Sequence, residues 1–209
     1  MSASRDRRSL RIVKVGGSLL DWPEFSTTLG QWLDAQSPAC NVLIAGGGAL
    51  ADVIRHADAT HGLGEEIAHE LCVELLGVTA RLLEALLAGR APRTTFSDLQ
   101  KQHTTDRMRV CSVLDARDFL AETESTAPLT SLPHTWDVTS DSIAAWVACA
   151  LAADELVLLK SGEPPRDPSG QPSLSALATA GYVDRHFPTA VALFPGTVRM
   201  VNLRGFSVA

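Results

Sequence analysis

Short β-branched runs alternate with longer stretches of helical periodicity, a pattern that predicts an α/β fold around a mostly parallel central sheet. Leu10–Val15 reads as a buried strand that runs straight into Gly16-Gly17-Ser18, and Phe25, Leu29 and Trp32 then recur on one helical face. Asn41–Ala45 predicts a second strand ending at Gly46-Gly47-Gly48, after which Leu50, Val53, Ile54 and Ala57 share a helical face. A long helix is expected over Glu65–Ala88, with Ile67, Leu71, Leu75, Val78, Leu82 and Leu86 at helical spacing. Acids in its first turn and Gly89 just past its end suit both termini.

Arg109–Leu114 predicts a third strand, and Asp115 is placed to cap a short helix reaching Leu120. Thr123–Pro133 is read as a polar loop. Ser140-Asp141 opens a helix that turns Ile143, Val147 and Leu151 inward, and Leu156–Leu159 is another buried strand, ending at Lys160-Ser161-Gly162. Glu163–Pro172 reads as a loop, while Ala190–Phe194 and Val198–Leu203 are expected to pair as a hairpin across Pro195-Gly196. No repeat or domain boundary interrupts the chain, which is read as a disordered tail over 1–9 and one domain over 10–209.

A chain of 209 residues can bury a sizeable core, and 45% hydrophobic with 20% charged content is ordinary for a globular protein. The net charge of −6 provides no field for nucleic acid or an anionic membrane. Apolar runs fall short of a membrane span and Met1–Ser9 is polar, so a soluble cytoplasmic protein is expected. Cys40, Cys72, Cys111 and Cys149 lack C-x-x-C spacing and read as buried free thiols of a reducing compartment. The histidines show no ligand spacing, so no metal-ligating residues are assigned. Among 18 basic residues only Lys14, Lys101 and Lys160 are lysines, which singles out two compact ammonium groups at strand ends.

Four segments carry candidate chemistry. Lys14-Val15-Gly16-Gly17-Ser18 combines bare backbone with a point charge where a following helix aims its positive end, suiting an anion or serving merely as a tight turn. Ala45-Gly46-Gly47-Gly48 repeats the arrangement, either as a second anion cradle or as close helix–strand packing. Trp136-Asp137-Val138-Thr139-Ser140-Asp141-Ser142 offers more caps than one helix needs, so Asp141 is expected to reach a lysine or a metal ion. Thr139 or Ser140 would then bond a ligand oxygen. Lys160-Ser161-Gly162 places a second lysine at a second strand end, where two ammoniums held by Asp141 could neutralise a transferring phosphoryl group. Arg55, His56 and His69 could hold an acceptor phosphate; Asp52, Glu65, Glu66 and Glu70 could face an ammonium-bearing substrate.

In order, K-V-G-G-S, A-G-G-G, T-S-D-S-I-A and L-L-K-S-G over residues 10–165 resemble the amino acid kinase superfamily. W-D-V-T-S-D-S-I-A-A-W with Gly181-Tyr182-Val183-Asp184 is most similar to the small archaeal-type kinases of methanofuran biosynthesis, which phosphorylate an aminomethylfuran-methyl phosphate. The resemblance implies an ATP-dependent kinase using Mg²⁺, with Lys14, Asp141 and Lys160 catalytic. Gly16, Gly17, Ser18, Ser161 and Gly162 would line the ATP phosphates, and Gly46, Gly47, Gly48, Thr139 and Ser140 the acceptor. It also implies a homo-oligomer formed through the long Glu65–Ala88 helix. The D-V-D-G-like nucleotide stretch of many members is replaced here by E-P-P-R-D-P-S-G, and the carboxyl-terminal nucleotide-binding part is short. A catalytically inactive relative that binds nucleotide or anions is therefore the alternative; a dinucleotide oxidoreductase would need G-x-G-x-x-G, which neither glycine cluster provides.

Overall fold

A computed structural model describes residues 9–104, 110–123, 132–165 and 172–207. The expected tail over 1–9 falls almost wholly outside them, as do Arg109 and most of the loops over 123–133 and 163–172.

Six strands form one sheet in the order β3-β4-β2-β1-β5-β6, and every registered pair is parallel. They are β1 (Leu10–Val15), β2 (Cys40–Ala45), β3 (Arg93–Thr94), β4 (Cys111–Leu114), β5 (Glu155–Lys160) and β6 (Thr197–Asn202). The helices are α1 (Phe25–Ala35), α2 (Gly48–His61), α3 (Glu65–Leu86), α4 (Phe96–Thr104), α5 (Ala116–Thr123), α6 (Ser140–Ala150), α7 (Leu174–Thr179) and α8 (Phe187–Val191). Among the described residues no helix is long and apolar enough to cross a membrane.

Strand alternation makes the fold three-layered. Leu10, Ile12, Leu156 and Leu158 point into a core built with α5, α6 and α8, while Val13, Val15, Val157 and Leu159 point into one built with α1 and the second half of α3. Lys14 shares the parity of Ile12, and Lys160 that of Leu158, so both lysines emerge on the α6 side of the sheet. Connections leave β1 toward β2 on one side and β5 toward β6 on the other. The crevice beyond the carboxyl ends of β1 and β5 is thus a topological switch point, where open parallel sheets bind their ligands.

One expectation needs correction. Ala190–Phe194 and Val198–Leu203 make no hairpin: Phe187–Val191 is helical and Thr197–Asn202 pairs in parallel with β5. Two apolar faces marked by periodicity lie largely outward: Leu50 and Val53 on α2, and Ile67, Leu71, Val78 and Leu82 on α3, are exposed. The inward stripe of α3 is instead Ala68, Leu76, Ala80 and Leu83, whose smaller members let the helix sit close to the sheet. Apolar periodicity identified the helix correctly, but this helix is apolar on two faces and periodicity does not rank them.

Candidate active site

Lys14, next to last in β1, is 5% exposed and Asp141, in the first turn of α6, 3%, so both charges are taken from water. The Lys14 Nζ lies 2.8 Å from Asp141 Oδ1, and Lys160 Nζ donates to Asp141 Oδ2 at 2.7 Å. One carboxylate thus receives two ammonium groups, one on each oxygen. Burial by itself would raise the Asp141 pKa, yet the two ammoniums outweigh it and hold the carboxyl below its ordinary value. Burial and the neighbouring Lys14 charge press Lys160 down to about 8, with Asp141 acting against them.

The glycine turns meet each other beside this cluster. Gly16 N–H donates to the Leu159 carbonyl at 2.8 Å, locking the turn after β1 onto β5, and Gly46 N–H donates to the Val15 carbonyl at 2.9 Å. A Cβ on Gly17 would fall 2.1 Å from the Gly48 nitrogen, and Gly48 itself sits at φ +57, so side chains are excluded from both. Gly46 is equally confined: a Cβ there would meet Ser140 Oγ at 2.9 Å.

A cleft of about 350 Å³ opens over the turns, lined by Lys14, Gly17, Ser18, Gly47, Gly48, Thr139 and Ser140. Of the residues expected for the donor phosphates, Gly17 and Ser18 share this cleft with Gly47, Gly48, Thr139 and Ser140 of the acceptor set, whereas Gly16, Ser161, Gly162 and Gly46 are not among its lining residues. Across the lysines, Ser161 Oγ and Ser18 Oγ lie 2.9 Å apart, while Gly162 is open, with nothing within 4 Å of a built Cβ. The helix α2 and the segment before α6 wall the cleft, where Arg55 covers the Trp136 ring at 4.9 Å and Trp136 Nε1 donates to Asp58 at 2.8 Å. His69, another lining residue, stacks on His134 at 4.6 Å.

Thr139 departs from its expected role. Although it lines the cleft, its hydroxyl donates to Asp184 Oδ2 at 2.9 Å instead of standing free for a ligand. Asp184 lies in the connection between α7 and α8, and sequence reasoning assigned it no role. The Gly181–Asp184 stretch was visible as a motif, but a cap arriving from 45 residues away leaves no local spacing to read. Arg204 was missed too: its guanidinium donates to the Ser18 carbonyl at 3.0 Å and lies over the Trp22 ring.

The residues fit a nucleotide's phosphates: Gly17, Gly47 and Gly48, packed closely with one another and their neighbours, present main chain to the cleft, and the buried Lys14 lines it beside them. Among the described residues no cluster of three or more metal-ligating side chains forms. A Mg²⁺ carried chiefly by substrate phosphates and water asks for few protein oxygens, and the exposed Asp21 carboxylate on the cleft wall is available to it.

Comparison with known proteins agrees with this architecture. Residues 9–163 match the amino acid kinase family. The chain is 23% identical over 150 residues to [5-(aminomethyl)furan-3-yl]methyl phosphate kinase of Methanocaldococcus jannaschii, covering 71% of this chain and 64% of that enzyme. Uridylate kinase from Archaeoglobus fulgidus superposes with a TM-score of 0.60 at 15% identity over 91% of this chain and 89% of its own. Aspartate kinase from Synechocystis gives 0.59 at 16% identity over 92% of this chain but 38% of its own. These structural likenesses concern the fold, whereas the sequence match spans most of the chain and contains Lys14, both glycine turns, Asp141 and Lys160. The chain belongs to the amino acid kinase family.

Proposed function

We propose that this protein is an ATP-dependent phosphotransferase that moves the γ-phosphoryl group to a small anionic acceptor, a phosphate monoester. The observation that carries the reading is one buried carboxylate with an ammonium on each oxygen, at the edge of two interlocked glycine turns. Phosphoryl transfer needs positioning and charge stabilisation and little covalent work by the protein, which this arrangement can supply. An acceptor oxygen attacks the γ-phosphorus, the bond to the β–γ bridging oxygen breaks, and ADP leaves with the electron pair. Lys14 and Lys160 neutralise the oxygens on which charge gathers, while the backbone N–H groups of Gly17 and Gly48 hold phosphate oxygens. Bound with ATP, Mg²⁺ supplies further neutralisation of the phosphates.

Asp141 is a poor general base, because its carboxyl is held below the ordinary range. That favours an acceptor that arrives already ionised, as a phosphate monoester does near neutrality, with a second pKa of about 6. Arg55, on the cleft wall, is the side chain suited to its phosphate. The M. jannaschii relative is named for a phosphate-bearing acceptor, which supports the same class.

The reading includes a second copy of the chain, docked on the outward stripe of α3. Ile67 and Leu82, like Leu71 and Val78, are nearly equidistant from Leu75, and Glu70 and Arg81 flank them in the same relation. A two-fold axis near Leu75 would therefore set apolar against apolar and acid against base, as a self-complementary interface requires.

The test is incubation with MgATP and a panel of phosphate monoesters, following ADP release and the appearance of a diphosphate by phosphorus NMR. Turnover that collapses in a folded Lys14→Ala variant is expected. Binding of ATP, seen as a raised melting temperature, with no turnover across phosphate and carboxylate acceptors would favour the inactive alternative, consistent with a family match that ends at residue 163. A fully active Lys14→Ala would remove the mechanism.

A further inference from the structure

The α6 helix begins without a cap of its own. Thr139 occupies the capping position, yet its side chain makes no capping hydrogen bond, and the first N–H groups of any helix lack partners within it. The missing acceptor comes from the other end of the chain. Asp184 Oδ2 accepts from Thr139 N at 3.0 Å and from Ser142 N at 2.9 Å, while its Oδ1 accepts from the Ser142 hydroxyl at 2.5 Å. With the Thr139 hydroxyl on Oδ2 and Phe187 N on Oδ1 at 2.8 Å, five donors converge on one carboxylate. The bonds grip residues before and after Asp141, the residue that spans the two lysines.

We propose that Asp184 is a positioning residue of the transfer centre: its carboxylate fixes the first turn of α6 and so holds the Asp141 carboxylate between Lys14 and Lys160. The inference rests on the kinase reading above, and it extends the working site beyond residue 163, where the family match stops. Two acids this close would repel, and burial together with Asp141 raises the Asp184 pKa against the pull of its donors. The lysines resolve the conflict. Lys14 and Lys160 face Asp141 directly, and Asp184 adds a second negative charge that favours the charged form of Lys160. The Tyr182 ring, on the same connection, covers the Lys160 ammonium at 5.5 Å, and its hydroxyl donates to the Gly162 carbonyl at 3.0 Å. Two positive and two negative groups therefore form one balanced cluster, with half of its acid supplied from the α7–α8 connection.

The chain's three lysines make this testable without relying on turnover. Protein labelled with ¹³C-lysine gives three side-chain signals, assignable by Lys→Arg substitution, with Lys101 as an internal control. In Asp184→Asn, which keeps size and one acceptor oxygen, the Lys160 midpoint should fall by about one pH unit while Lys101 stays put. In the same variant kcat should fall roughly tenfold or more, with KM for MgATP and acceptor within about threefold, because the lost geometry acts on the transition state. Ser142→Ala, which removes one donor but not the charge, should give a smaller loss of kcat and serves alone should Asp184→Asn not fold. A lower melting temperature with kcat unchanged, or an unmoved Lys160 signal, would show Asp184 to be structural only and overturn the proposal. A wild-type protein without turnover would count against the kinase reading instead, and the lysine signals alone would then decide the role of Asp184.

Discussion

Gly17 and Gly48 meet backbone to backbone: a Cβ on Gly17 would lie 2.1 Å from the Gly48 nitrogen and 2.3 Å from its Cα. Main-chain atoms cannot step aside by changing rotamer, so Gly17→Ala must push the two turns apart. It should cost about 1–3 kcal/mol of stability, as overpacking does, and roughly a hundredfold in turnover, as a displacement of about 1 Å at a reacting centre does. Gly30→Ala, in α1 and outside the cleft, is the control, since its Cβ would meet only the end of the Arg90 side chain, at 3.4 Å. Chemical denaturation and an ADP-release assay read both variants.

Replacing Asp141 by Asn leaves two buried ammonium groups without their shared counter-charge. Breaking a buried ion pair in this way should cost about 3–5 kcal/mol and abolish measurable transfer. Adding Lys160→Met to Asp141→Asn removes one of the stranded charges, so stability should recover in part while activity stays lost. Recovery of activity in the double variant would contradict the role given to the carboxylate.

Activity and stability should respond to alkali in opposite directions through Lys160. Burial and Lys14 lower its pKa from 10.5 to about 8 in the folded protein. The ammonium is the useful form, so kcat/KM for MgATP should decline as pH rises through about 8. Between about 8 and 10.5 the unfolded chain holds the proton more tightly than the native one, so this group makes the fold relatively more stable as pH climbs. The difference in melting temperature between wild type and Lys160→Met should accordingly shift in favour of wild type over that window. A loss of activity that tracks unfolding would refute the assignment.

The outward stripe on α3 should hold two copies together. Leu71→Arg places a charge opposite Val78 of the other copy and should yield monomers by light scattering at about 10 μM, with little change in the monomer's own melting behaviour. Glu70→Arg and Arg81→Glu should each weaken association and, combined, restore it, because the swap preserves opposite charges across the axis. A wild-type protein that is monomeric at high concentration would exclude this interface.

Much of the centre was legible before folding, because its determinants are local. Lys14 and Lys160 are placed at the ends of two strands by the sequence, and glycine clusters at strand ends mark where backbone is left bare, whereas the common face of the two lysines comes from the β1–β5 register. Asp141, first-turn acid of a recognisable helix, follows from spacing alone. Tertiary structure alone decided that Asp184 would cap that helix, that β6 would run parallel to β5 and form no hairpin, and that the large apolar stripe of α3 would face outward. Each of these is a choice between distant partners. Parity and periodicity repeat every two to four residues and say which side of an element is apolar, whereas the partner that covers that side is chosen by the packing of the whole chain.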